Sequence, residues 1–103
     1  MNAWEIWTWA EHPAVIVSHP DRAARKETVE VLACSTSRAG RAPRANEILL
    51  DAADGLDWET LCYCDLIYSV PRADLRNHRG NVTRERRRAI VQTILQSHAW
   101  IGL

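Results

Sequence analysis

At 103 residues the chain is long enough for one hydrophobic core and short for a monomer with a deep cleft, so an oligomer is expected from size alone. Its 13 Lys+Arg balance 13 Asp+Glu, which excludes the strongly basic composition of a bulk nucleic-acid binder and argues against a membrane-surface protein. No stretch approaches about eighteen apolar residues and no basic leader precedes an apolar run, so no membrane span or signal peptide is predicted, and the expected compartment is the cytoplasm.

Trp4 to Trp9 (W-E-I-W-T-W) reads as a first strand with aromatic residues on both faces, one side for the core and the other for core, partner or groove wall. Pro13 to Ser18 (P-A-V-I-V-S) is an unbroken apolar run, the mark of a strand buried on both faces. Ala10, Glu11 and His12 are nearly all that separates the two, which predicts a tight hairpin. His19 to Glu27 is polar, with Pro20 and Asp21 as a start signal, and predicts a single surface turn of helix. Thr28 to Ser35 is the third strand.

The segment from Thr36 to Asn46 contains Gly40 and Pro43 and reads as an exposed loop. Arg38, Arg41 and Arg44 recur in it at a spacing of three. Twelve of the thirteen basic residues are Arg, Lys26 being the exception. Arg suits forked contacts to phosphate or carboxylate, although a coding bias would give the same count. These three arginines are the candidate nucleic-acid contacts.

Glu47 to Asp51 predicts a fourth strand and Ala52 to Trp58 a turn. Leu61 to Val70 (L-C-Y-C-D-L-I-Y-S-V) is the strongest strand signal in the chain, with no Gly or Pro and a filling of aromatic, aliphatic and sulfur side chains. Asp65 interrupts it. A carboxylate there must be bonded, paired or set at the rim of a groove. Alternation places Tyr63 and Asp65 on one face and Cys62, Cys64 and Leu66 on the other. Arg72 to Leu75 reads as a short helical turn.

Thr83 can cap a final helix whose apolar stripe runs through Ala89, Ile90, Val91, Ile94, Leu95 and His98. Arg84, Arg86, Arg87 and Arg88 crowd its start, the unfavourable end for cations. They call for an anionic partner or a solvated face. Cys34, Cys62 and Cys64 read as small core hydrophobes, and the four histidines lie at no metal-ligand spacing, so neither metal nor cofactor is predicted. Five or six short strands followed by one helix predict a mainly β fold: a small, strongly bent antiparallel barrel capped by the C-terminal helix.

The order of these fragments resembles the MazF, PemK and Kid toxins of type II toxin-antitoxin modules. W-E-I-W at Trp4 is similar to that family's opening strand, and H-P-A-V-I-V-S at His12 to its Arg-Pro-Ala-Val strand. C-S-T-S-R at Cys34 is similar to its Thr-Ser turn. G-L-D-W-E-T-L-C-Y-C-D-L-I-Y-S-V at Gly55 is similar to its glycine-leucine turn and Cys-Asp strand, and A-W-I-G-L at Ala99 to its Leu-Gly-Leu ending.

The resemblance implies one domain over residues 1–103, an SH3-like barrel shared with CcdB, and a homodimer. It also implies a metal-independent endoribonuclease acting on single-stranded RNA and neutralised by an antitoxin. Asp65 falls on the family's general base, and Thr36, or Ser35 one place earlier, on the hydroxyl beside the scissile phosphate. His12 and Tyr63 stand where the family carries arginines, and the loop between the first two strands is almost absent. The implied chemistry therefore runs through a His and Tyr set, or the chain grips without cutting. CcdB-like toxins share the barrel and act by binding alone, and a solitary structural barrel is the third reading.

Overall fold

The structure, a computed structural model, describes residues 1–36 and 40–102. Six antiparallel strands form one sheet: β1 (Glu5–Trp9), β2 (His12–Ile16), β3 (Thr28–Thr36), β4 (Glu47–Leu50), β5 (Thr60–Pro71) and β6 (Leu75–Asn81). Their spatial order is β4-β5-β3-β2-β1-β6. Helix α1 (Pro20–Arg25) joins β2 to β3, and helix α2 (Arg84–Ser97) follows β6. The predicted β1–β2 hairpin forms, with Trp9 paired to His12.

Period-two alternation sorts the apolar residues onto two faces. Ile6, Val15 and Leu32 lie in register and join Cys34, Leu50, Cys62, Cys64, Val82 and Ile90 in one buried cluster. On the opposite face Ala14, Ile16, Val29, Val31 and Val70 form a second cluster with Trp7 and Trp9 against it. Trp4 packs on the first cluster, so the tryptophans of the opening strand do face both ways. Burial on both sides is why β2 reads as an unbroken apolar run.

Strand β5 is bent by a large irregularity. Leu32 pairs with Ile67 and Cys34 with Cys62, so β5 advances five residues while β3 advances two. The extra residues lie opposite Ala33, as in a bulge; Cys64 stays in the core, and Asp65 and Leu66 are turned out to solvent. Leu66, expected on the face of Cys62 and Cys64, is half exposed for this reason.

Strand β6 carries no strand signal in the sequence. Leu75 is its only buried residue, because it is an edge strand, and Asn77 adopts a positive φ of 50° within it. What holds it is the ladder to β1 and the His78 ring stacked on Trp7, 5.4 Å between centroids.

The ladder does not close: β4 and β6 remain its two ends. Side chains join them instead. After β4 the chain makes a 3-10 turn, Ala52–Asp54, capped by Asp51, and a Cβ at Gly80 in β6 would run into the Asp54 carbonyl oxygen. The buried Asp54 carboxylate accepts from the backbone N–H of Asp51 (3.0 Å) and of Thr83 (2.9 Å). Arg86, in the first turn of α2, donates to it as well and forks onto Asp51 at 2.7 and 3.0 Å. The Arg86 guanidinium draws the Asp51 carboxyl down to about 2.

So two of the four arginines crowding the helix start are structural, since Arg87 Nε also donates to the Val82 carbonyl at 2.8 Å. Thr83 caps the helix as predicted. The buried stripe, however, centres on Ile90, Thr93 and Ile94, and Val91 faces out.

Arg86→Ala would leave the fully buried Asp54 carboxylate without its cation, and a loss of about 3 kcal/mol is expected in denaturant unfolding. Because the Asp51 pKa is depressed, its contribution is complete above the unfolded value of about 3.8 and is lost as pH falls through about 2. That acid-side loss should be absent from the Arg86→Ala variant.

Candidate functional site

The site is built on the outer face of β3, β5 and β4, where β5 bends. Along β3, Cys34 faces the core, so Ser35 faces out and Thr36 turns back toward the Cys34 side, opposite Thr60. Along β5, buried Cys62 and Cys64 set Tyr63 outward. The Tyr63 hydroxyl lies 2.6 Å from Ser35 Oγ. Of the two hydroxyl candidates, Ser35 is thus in contact with Tyr63.

Asp65 follows two residues on, within the bulge. It is exposed and makes no hydrogen bond among the described residues. Neither burial nor pairing explains the acid in the middle of the strand, and the bulge is what carries it clear of the core. The β2–β3 register pairs Ala14 with Ala33. The ladder ends there, two residues short of His12 on β2 and of Ser35 on β3. His12 is exposed at the start of β2, directly after a two-residue turn in which Ala10 and Glu11 adopt positive φ values of 49° and 71°. Such a turn ordinarily takes Asn-Gly, and Ala-Glu holds it at a steric cost of roughly 1–2 kcal/mol per residue. A cavity of about 390 Å³ adjoins that turn, lined by Thr8, Trp9, Glu11, Asp74 and Arg76.

The arginine loop divides. Arg38 lies outside the described residues. Arg44 is exposed, and its guanidinium has no partner among the described residues. Arg41 is committed: its guanidinium forks onto Glu47 at 2.7 and 2.8 Å. Glu47 opens β4 directly across from Tyr63, and its carboxyl is held down to about 2, chiefly by Arg41 and also by the Arg44 backbone N–H. Arg41 is correspondingly held charged, first by Glu47 and further by Tyr63. Ser35 and Tyr63 are bonded to each other, Arg41 and Glu47 to each other, and the cross-strand Glu47–Tyr63 pair sets the two side by side.

Sequence reasoning missed Glu47, read only as the start of a strand. The signal available was an acid three residues after Arg44 and six after Arg41, at the edge of an apolar run. Other arginines prove internal too. Arg22 forks onto Glu30 at 2.9 Å, and Arg72 donates to the Lys26 and Arg22 carbonyls. All three cysteines are buried thiols, and the neighbouring Cys34 and Cys64, with burial, push Cys62 well above the usual thiol range. They are inert core residues, as predicted.

Comparison with known structures finds the same architecture. The Mycobacterium tuberculosis toxin MazF-mt6 matches with a TM-score of 0.79 at 20% identity, over 92% of this chain and 95% of that one. A mycobacterial endoribonuclease in complex with its cognate antitoxin matches at 0.80 and 16% identity, over 96% and 95%. A MazE-MazF structure from Deinococcus radiodurans matches at 0.76 and 12%, over 96% of each chain. No curated protein matches the sequence. The model of the PemK-like, MazF-like toxins of type II toxin-antitoxin systems matches residues 9–98. With the match spanning most of the chain and the fold agreeing, the chain belongs to the PemK-like, MazF-like toxin family.

Proposed function

We propose that this chain is a cytoplasmic, single-domain toxin that cuts single-stranded RNA internally without a metal and is silenced by an antitoxin. One observation supports the reading beyond family membership: Asp65, an exposed carboxylate with no side-chain partner among the described residues, stands in the β5 bulge two residues after Tyr63, whose hydroxyl meets Ser35. The structural neighbours include an endoribonuclease bound to its antitoxin, which supports both the activity and the partner. Internal cleavage of RNA needs a base at the 2′-hydroxyl, a proton for the leaving 5′-oxygen, and positive charge or donors at the phosphate.

Asp65 takes the proton of the 2′-hydroxyl. The freed oxygen bonds to phosphorus, and the bond to the 5′-oxygen breaks. Ser35 and Tyr63 face the phosphate, and His12 approaches from the neighbouring strand. Thr36 keeps to the β3 end behind Ser35. The working unit is a homodimer, since Trp58, Leu66, Tyr68, Trp100 and Ile101 all leave large apolar surface exposed on so small a chain.

Purified protein should degrade a mixed single-stranded RNA in the presence of a chelator. Asp65→Asn keeps the shape and removes the proton acceptor, so cleavage should fall by at least about 100-fold with the melting temperature unchanged. Wild-type-like cutting by that variant would leave Asp65 with no catalytic part. Absence of cutting by the wild type would turn the reading toward a binding module.

His12 is tested by substitution. Serving the phosphate or the leaving oxygen, it should lose cleavage by about tenfold or more as His12→Ala, while His12→Arg, which supplies a fixed cation, keeps the rate. A wild-type rate in His12→Ala would remove His12 from the mechanism.

For binding, Arg44→Ala should reduce the salt dependence of single-stranded RNA affinity by about 0.7 of a slope unit, the value of one phosphate contact. An unchanged slope would place the RNA path elsewhere.

A further inference from the structure

The face that bears Ser35 and Tyr63 also holds an ion pair to which the reaction as described gives no part. The Glu47 side chain is only 2% exposed, and a carboxylate so placed is tolerated only when its lone pairs are filled. They are filled by Arg41 Nη1 at 2.7 Å, Arg41 Nη2 at 2.8 Å and the Arg44 backbone N–H at 2.8 Å. A two-pronged contact fixes the plane of a guanidinium as well as its position. Glu47 stands directly across from Tyr63 in the β4–β5 pair, which sets the guanidinium on the Tyr63 side of the strand, and the Tyr63 hydroxyl reaches Ser35 Oγ at 2.6 Å.

We propose that Tyr63 is the proton donor to the leaving 5′-oxygen, and that Arg41, anchored on buried Glu47, is the positioning residue that makes it one. The proposal rests on the endoribonuclease reading and names the acid for that same site. As the 2′-oxygen bonds to phosphorus and its proton passes to Asp65, the bond from phosphorus to the 5′-oxygen breaks and the Tyr63 phenol gives its proton to that oxygen. The products are a 2′,3′-cyclic phosphate and a 5′-hydroxyl. The phenolate regains a proton from water, to which Asp65 returns the one it took.

A fixed cation stabilises negative charge as it builds up on a donor and on the leaving oxygen in the transition state. A guanidinium suits the task because it stays charged throughout. Ser35, an uncharged partner of the same hydroxyl, orients the ring. The cation missing from β5 itself, where Tyr63 stands, is thus delivered from the loop before β4.

The test uses two RNAs of one sequence, the second carrying sulfur in place of the bridging 5′-oxygen at the cleaved bond. A thiolate leaves without being protonated, so loss of a general acid is felt only on the oxygen substrate. Tyr63→Phe removes one partly exposed hydroxyl and should keep the fold, checked by melting. It should lose about 100-fold or more on the oxygen RNA and stay within about threefold of wild type on the sulfur RNA. Arg41→Ala and Glu47→Gln should show the same split, and Asp65→Asn should be slow on both. Equal loss on the two substrates by Tyr63→Phe, or no loss on either, overturns Tyr63 as the acid. The split in Tyr63→Phe but not in Arg41→Ala and Glu47→Gln overturns the anchoring role. A wild-type protein that cuts neither RNA overturns the endoribonuclease reading beneath both.

Discussion

The carboxylate of Asp54 is where the two ends of the sheet meet. Strand β4 lies at one end and β6 at the other, and no backbone ladder spans the gap. The three donors on Asp54 come from its own turn, from the residue that caps α2 and from the first turn of that helix. Holding them together brings α2 down so that Ile90 completes the inner cluster. Partly covered pairs of this kind repay their desolvation only when every lone pair finds a donor, and the capping box at Asp51 supplies the remaining bonds. Glu47 repeats the device at the other end of β4. There a buried acid accepts both prongs of an arginine and one backbone N–H, where Asp54 accepts one arginine N–H and two from the backbone. A four-residue edge strand, too short to be secured by its ladder alone, is thereby anchored at both ends, and its edge is kept from becoming a template for unwanted pairing.

Much of this fold was legible in the sequence, for local reasons. Apolar runs bounded by turn residues gave five strands within a residue or two, β2 being shifted most, one place earlier at its start and two at its end. The capping threonine marked the start of α2. Strand β6 was not legible, because R-N-H-R-G-N shows no apolar alternation and owes its conformation to β1. The joining of the ends was not legible either. Asp54 sits in A-A-D-G, which reads as a polar turn, and its partners Thr83 and Arg86 are 29 and 32 residues further on.

The candidate site divides along the same line. Asp65 stood out because a single acid in an apolar strand violates the local pattern, and such violations gather at sites that serve something other than the fold. The bulge that exposes it is a tertiary feature, set by how β3 pairs on either side of Ala33, and nothing in the strand's own composition announces it. The resemblance points to Thr36, with Ser35 one place earlier as the alternative; strand parity, invisible until the register is known, puts Ser35 against Tyr63. Arg41 was grouped with Arg38 and Arg44 by spacing alone. Its commitment to Glu47 depends on a loop folding back over the strand it precedes.

The neutral net charge takes on a different meaning once the arginines are placed. Arg22, Arg41, Arg72, Arg86 and Arg87 are spent on carboxylates or carbonyls within the fold. Arg44, Arg76, Arg84 and Arg88 are exposed and make no ion pair among the described residues. They lie on three different elements, so among the described residues the exposed arginines form no single positive stripe. On the proposed function, recognition would rest on a few short-ranged phosphate contacts rather than on a broad field. The charges of use to the proposed cleavage would be those held rigidly by the fold, which cost no reorganisation when a phosphate arrives. An arginine tied to a buried glutamate gives up most of its long-range attraction and keeps its capacity to stabilise charge on one adjacent atom.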